Sequence, residues 1–275
     1  MKWLQFIGSH SIFISICAVA LCFQTSIFFQ TEFTGWFYIF IFFSTLCSYN
    51  FYWLLSGFSF TYKKATPFLK KQYSNLIVFV LSLIGTAISV MHVLPLLPFI
   101  TLAALLTILY SLPLLPVKIF QAARKAGVFK TILLAFTWTF ITVLIPYQLV
   151  KAGDTITAVI VFSSRFLFML MLCIIFDARD TAIDKIRGLQ SITTMITPQT
   201  IKFIMHFLFA AYILNAFAVG IYIRELKQIS ALLITGAAVA VVYRFSLQHQ
   251  GYFFYYFLVD GLMLFLAIAS YVATI

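Results

Sequence analysis

The feature that most constrains this sequence is a series of apolar runs, each about twenty residues long and nearly free of charge, that follow one another from close to the start of the chain to its end. About 20 apolar residues in an α-helix span the ~30 Å hydrocarbon core of a bilayer, whereas a membrane strand shows segments of about ten alternating residues. These runs do not alternate, so they predict helices. Breaks at charged or Pro- and Gly-containing clusters give nine spans, at roughly 10–29, 33–55, 74–92, 95–115, 130–149, 155–176, 200–222, 228–246 and 252–274. Composition points to the same solvent. Of 275 residues 63% are apolar and 9% charged, against about 25% charged in soluble domains. That arithmetic excludes a soluble enzyme, a disordered chain and a nucleic-acid-binding domain. Because the connecting loops are short and no low-complexity linker divides the chain, residues 1–275 are expected to form a single transmembrane domain. The first run follows Lys2 as a signal peptide would, but no small-x-small site precedes a soluble region, so it reads as the first span.

The loops set an orientation. Lys2, Lys63, Lys64, Lys70, Lys71, Lys118, Arg124, Lys125, Lys130, Arg179, Lys185, Arg187, Lys202 and Arg244 fall on one side, and only Lys151, Arg224 and Lys227 on the other. Basic residues resist translocation, which predicts a cytoplasmic N-terminus and an external C-terminus, with the cytoplasmic (inner) membrane of a bacterium as the expected location. The net charge of +11 follows mainly from this bias, with an anionic substrate at the same face as the other source. Cys17, Cys22, Cys47 and Cys173 lie inside apolar runs without CxxC spacing and read as small hydrophobes.

Only seven residues are acidic, and three of them, Asp177, Asp180 and Asp184, cluster at the cytoplasmic end of span 6. The i, i+3, i+7 spacing places them on one face of a helix continuing past the membrane. Three stacked carboxylates repel one another unless a cation sits among them, and oxygen ligands suit Mg²⁺, which is held by one or two carboxylates plus substrate phosphates. The interleaved Arg179, Lys185 and Arg187 offer donors to phosphate oxygens. A solvated loop whose acids and bases neutralise one another fits the same spacing. Lys118 and Lys130 read either as topology determinants or as a cover for a diphosphate beside Asp177, and Tyr110 as an interfacial anchor.

Asp177-x-x-Asp180-x-x-x-Asp184, followed by Gly188 and Ser191, resembles the second aspartate-rich motif of the UbiA family of intramembrane prenyltransferases. Leu109-Tyr110-Ser111-Leu112-Pro113 with Lys130 before Trp138 resembles that family's tyrosine-containing end of span 4 and the basic loop beyond it. The resemblance implies an all-α integral membrane protein, nine helices in one bundle around a central cavity. It also implies Mg²⁺ held by Asp177, Asp180 and Asp184 as the catalytic group. Asn50, Tyr110, Lys118, Lys130, Arg179, Lys185 and Arg187 would contact substrate. The implied reaction moves an isoprenyl group from a prenyl diphosphate to an aromatic or other lipophilic acceptor. The sequence departs from the family at span 2: Asn50 is kept, but Phe51, Leu54 and Phe58 stand where the first motif has Asp. A pseudoenzyme acting as a lipid-binding or partner-binding scaffold is therefore the second expectation.

Arg165 and Asp260 are the charges furthest inside spans. At 1.5 Å per residue Arg165 lies about 15 Å from one surface and Asp260 about 12 Å from the other, so an ion pair near the midplane is expected, with a cavity-facing role as the competitor. A small transporter would draw on the same two charges, but no inverted repeat is visible. His92 and His206 read as hydrogen-bonded spacers, and the aromatic run 252–256 as lipid-facing or interfacial.

Overall fold

Helices form where the apolar runs lie. The computed structural model describes residues 11–61, 73–111, 127–150, 154–187, 190–248, 251 and 253–275, with backbone only for 56–61 and 182–187. The described residues contain helices and no strand. In chain order they are α1 (Ile12–Phe28), α2 (Gly35–Thr61), α3 (Tyr73–Val90), α4 (Leu94–Ser111), α5 (Gly127–Tyr147), α6 (Thr155–Arg187), α7 (Pro198–Tyr222), α8 (Lys227–Ser246) and α9 (Phe254–Val272). Among the described residues eight helices are long and apolar enough to cross a membrane, while α1, at 17 residues, is shorter.

Local chemistry explains the ends. Asp154 caps α6: its carboxylate accepts the backbone N–H groups of Ile156 and Thr157, both at 3.2 Å, and the Thr157 hydroxyl at 3.0 Å. The Ile156 N–H first, then the two Thr157 donors, hold that carboxyl below its usual range. Helix α7 starts with Thr197 accepting the Thr200 N–H and Pro198 in the first turn, where proline's missing N–H costs nothing. Inside the spans, hydroxyls turn back onto carbonyls one turn earlier, as with Ser48 to Ser44, Thr137 to Leu133 and Thr235 to Ala231, which satisfies them where lipid offers no partner. Two helices carry π turns, Phe140–Leu144 in α5 and Phe254–Val259 at the start of α9.

The described chain packs as two compact units. The first combines the start of α1, to Val19, with α2, α3 and α4. Helices α2 and α3 are its main packed pair, and Phe37, Ile41 and Leu96 are fully buried. The second combines α1 from Ala20 with α5 to α9. Here α6 is the central element, packed against α5, α7 and α8, with Phe168, Met171, Leu172, Ile174 and Ile175 fully buried along it. Large apolar side chains such as Leu81, Phe203 and Leu214 stay exposed on the helices. Around a water-soluble protein they would form adhesive patches; on an integral multi-pass protein they face lipid.

Candidate functional site

Helix α6 runs 33 residues without interruption, so Asp177, Asp180 and Asp184 all lie on it. Lys185 and Arg187 continue the same helix to its last turn. At 1.5 Å per residue it is about 50 Å long, longer than the hydrocarbon core, and the motif lies in its C-terminal third.

Asp177 is fixed by the elements around it. Its Oδ2 accepts a hydrogen bond from the Thr131 hydroxyl, one residue beyond Lys130 in the first turn of α5. Its backbone carbonyl accepts from the hydroxyls of Thr181, at 3.0 Å, and Thr193, at 2.9 Å. Thr193 lies in the single turn Ile192–Met195, which Ser191 opens with a capping box to Thr194. Gly127 permits the approach of α5 to this turn: a Cβ there would lie 2.6 Å from the backbone carbon of Gln190 and 2.7 Å from the Ser191 nitrogen.

Asp180 faces a cation from its own helix. Arg179 Nε donates to Oδ1 at 2.6 Å and Nη2 to Oδ2 at 2.7 Å, a forked pair that engages both carboxylate oxygens. The same guanidinium carbon lies 5.1 Å from the Phe176 ring centroid, 5.3 Å from Tyr255 and 5.0 Å from Tyr256. Three rings at that range form a cation–π box. Two belong to the π turn of α9, where the Asp260 N–H reaches back to the Tyr255 carbonyl; such turns recur where side chains must be re-aimed. Arg179 Nη1 is buried and has no hydrogen-bond acceptor among the described residues.

Asp260 follows that π turn, is buried, and makes no ion pair with Arg165. The expected midplane pair with Arg165 is therefore corrected. Arg165 is 2% exposed, and its terminal nitrogens donate to the Leu21 carbonyl at 3.2 and 3.1 Å, to Gln24 Oε1 at 2.5 Å and, at 3.5 Å, to the Thr25 hydroxyl. No carboxylate among the described residues pairs with it. Depth counted along two helices does not make their side chains face each other: Arg165 turns towards α1, and Asp260 follows the π turn of α9. Gln24 also donates to the Ser270 hydroxyl at 2.6 Å, and Gln228 to the Ser270 carbonyl at 2.8 Å. Arg165 is thus embedded in a neutral hydrogen-bond network linking α1, α6, α8 and α9.

In the first unit, Asn50 is buried and donates to the Leu46 carbonyl at 2.8 Å. The positions after it are aromatic in contact as well as in sequence: Phe51 stacks on Phe79 and Tyr52 on Tyr110, with centroids 6.0 and 5.8 Å apart. Lys118 lies outside the described residues, as do the side chains of Asp184, Lys185 and Arg187. Among the described residues no three His, Cys, Asp or Glu side chains form a metal-holding group. Sequence reasoning missed Thr131, Thr193, Tyr255, Tyr256 and Gln24 as members of these clusters. None carries charge, and only the tertiary fold brings them to Asp177, Arg179 and Arg165.

No family model matches the sequence, and no curated protein matches it. Among solved structures the chain is similar to the apo structure of a UbiA homolog from Aeropyrum pernix K1, with a TM-score of 0.64 and 12% identity over 96% of this chain and 99% of that one. Likeness at that identity establishes the fold, and the expected all-α, UbiA-like membrane architecture is what the chain adopts.

Proposed function

We propose that this protein is a membrane transferase that binds an isoprenyl diphosphate at the C-terminal end of α6 and passes the isoprenyl group to a lipophilic or aromatic acceptor. The observation that carries the proposal is the Asp177–Arg179–Asp180 cluster on a UbiA-type fold: carboxylates for a divalent cation and a guanidinium for phosphate oxygens, side by side on one helix. Asp177 and Asp180 are one turn apart and supply the hard oxygen donors that Mg²⁺ takes together with substrate phosphate, once Arg179 yields Asp180. Asp184 lies one further turn along. Mg²⁺, when bound, would neutralise the charge that develops on the departing diphosphate. The chain's own parts do the remainder. Thr131 and Thr193 hold Asp177 in place. Arg179 supplies donors for the leaving group, and the resemblance to the UbiA family adds Lys118, Lys130, Lys185 and Arg187 to it. Apolar helices keep water from an allylic cation.

The competing function is a non-catalytic scaffold that keeps the fold to bind lipid or a partner. It is favoured by Phe51, Leu54 and Phe58 standing at the sequence positions where the UbiA family's first motif has Asp. Turnover separates the two. Purified protein in liposomes, given geranylgeranyl diphosphate, Mg²⁺ and a lipid extract as acceptor source, is expected to release pyrophosphate and form a prenylated lipid detectable by mass spectrometry. Asp177→Asn should reduce that release by about a hundredfold or more, as expected when a metal-borne charge is removed from the reacting centre. Absence of turnover with every extract, while the diphosphate still binds, would favour the scaffold.

A further inference from the structure

We propose that Arg179 is a transferable counter-cation: it neutralises Asp180 in the ligand-free protein and moves to the diphosphate as Asp180 is released to a divalent cation, with Tyr255 and Tyr256 as the positioning residues that hold it for the exchange. The proposal rests on the diphosphate-binding function above and assigns the order in which its charges change partners.

The geometry supports an exchange over a permanent ion pair. Both oxygens of Asp180 accept from Nε and Nη2, so a divalent cation arriving at this carboxylate would sit beside a guanidinium of like charge and repel it. Among the described residues Nη1 has no acceptor and is buried against the aromatic box, so a guanidinium with five donors is hydrogen-bonded there on only one edge. A diphosphate presents several charged acceptor oxygens, and transfer to it would give Nη1 the partner it lacks. The exchange keeps charge balanced: Asp180 passes from a guanidinium to a divalent cation while the guanidinium passes from a carboxylate to a phosphate. Without the box, Arg179 would be one more flexible surface side chain. Phe176 from α6 and Tyr255 and Tyr256 from the π turn of α9 restrict it.

The test uses the purified full-length protein in detergent and two probes. The first is Mn²⁺ alone, followed by electron paramagnetic resonance without diphosphate. The second is geranylgeranyl diphosphate at fixed Mg²⁺. Arg179→Met should bind Mn²⁺ more tightly, by about threefold or more, because the resident competitor is gone, and bind the diphosphate about tenfold or more weakly. Arg179→Lys should fall between wild type and Arg179→Met on both measures, since it keeps the charge and loses the fork. Tyr255→Leu and Tyr256→Leu should each weaken diphosphate binding several-fold in the wild-type background and add nothing in the Arg179→Met background. Independent structural roles would not produce that pattern. Unchanged or weaker Mn²⁺ binding by Arg179→Met, or simple additivity of Tyr256→Leu with it, overturns the proposal. Should Arg179→Met fail to fold, the Arg179→Lys and Tyr256→Leu titrations decide between the same outcomes. If wild type binds no geranylgeranyl diphosphate, the transferase function fails, and the Mn²⁺ titration still decides whether Arg179 competes for Asp180.

Discussion

A guanidinium in the lipid-crossing part of α6 needs acceptors, and Gln24 supplies the shortest contact to Arg165, at 2.5 Å. Hydrogen bonds to charged groups contribute about 1.5–3 kcal/mol, and removing the acceptor leaves the charge under-solvated. Gln24→Leu is therefore expected to destabilise the detergent-solubilised protein by about that amount. Arg165→Met should do likewise, because Gln24 then loses its donor. The double variant should be less damaged than the sum of the two, with a coupling of about 1 kcal/mol or more in a thermal-denaturation cycle. Additive losses would show that the network does not act as a unit. The sequence marks Arg165 plainly, because a lone charge in a 20-residue apolar run must find a partner. It does not mark the partner. Gln24, Thr25 and a backbone carbonyl carry no charge, whereas Asp260 does, so reasoning from charge alone selects the wrong residue.

Element lengths decide which side chains meet. Because α6 continues to Arg187, the acidic motif stands on a rigid rod, and the turn after it can be placed against the start of α5. Gly127 is the point of contact. Gly127→Ala would put a methyl group into the backbone at Gln190 and Ser191, and such overpacking costs about 1–3 kcal/mol. Separation of α5 from that turn should also break the Thr131–Asp177 hydrogen bond. The expected outcome is a lower Tm together with weaker metal-dependent diphosphate binding; a variant with native Tm and native binding would contradict the contact. The helical continuation of α6 was legible from the i, i+3, i+7 spacing of its acids. The π turn Phe254–Val259 was not, since its widened turn leaves no mark in apolar periodicity. That is why Tyr255 and Tyr256 read as lipid-facing in the sequence and stand around Arg179 in the fold.

On the scale of the whole molecule, apolar run length was enough to specify helices and a membrane, because nothing but lipid solvates so much exposed Leu, Ile and Phe. The site was legible only where it is charged. Asp177, Asp180 and Arg179 stand out in a chain with seven acidic residues, while the aromatic replacement after Asn50 says what is missing and not what took its place. Loop charge predicts that the N-terminus and the loops at 56–73 and 116–129 are cytoplasmic. Single-cysteine labelling in a cysteine-free background should find both loops protected from membrane-impermeant reagents in intact cells; labelling of the 56–73 loop from outside would reverse the orientation. The most direct test of the central claim is equilibrium binding of geranylgeranyl diphosphate to the purified protein, with and without Mg²⁺, for wild type and Asp180→Asn. The predicted result is binding by wild type that tightens at least tenfold with Mg²⁺, and loss of that metal dependence in a well-folded Asp180→Asn. Equal binding by both proteins, or no response to Mg²⁺ in wild type, would contradict it.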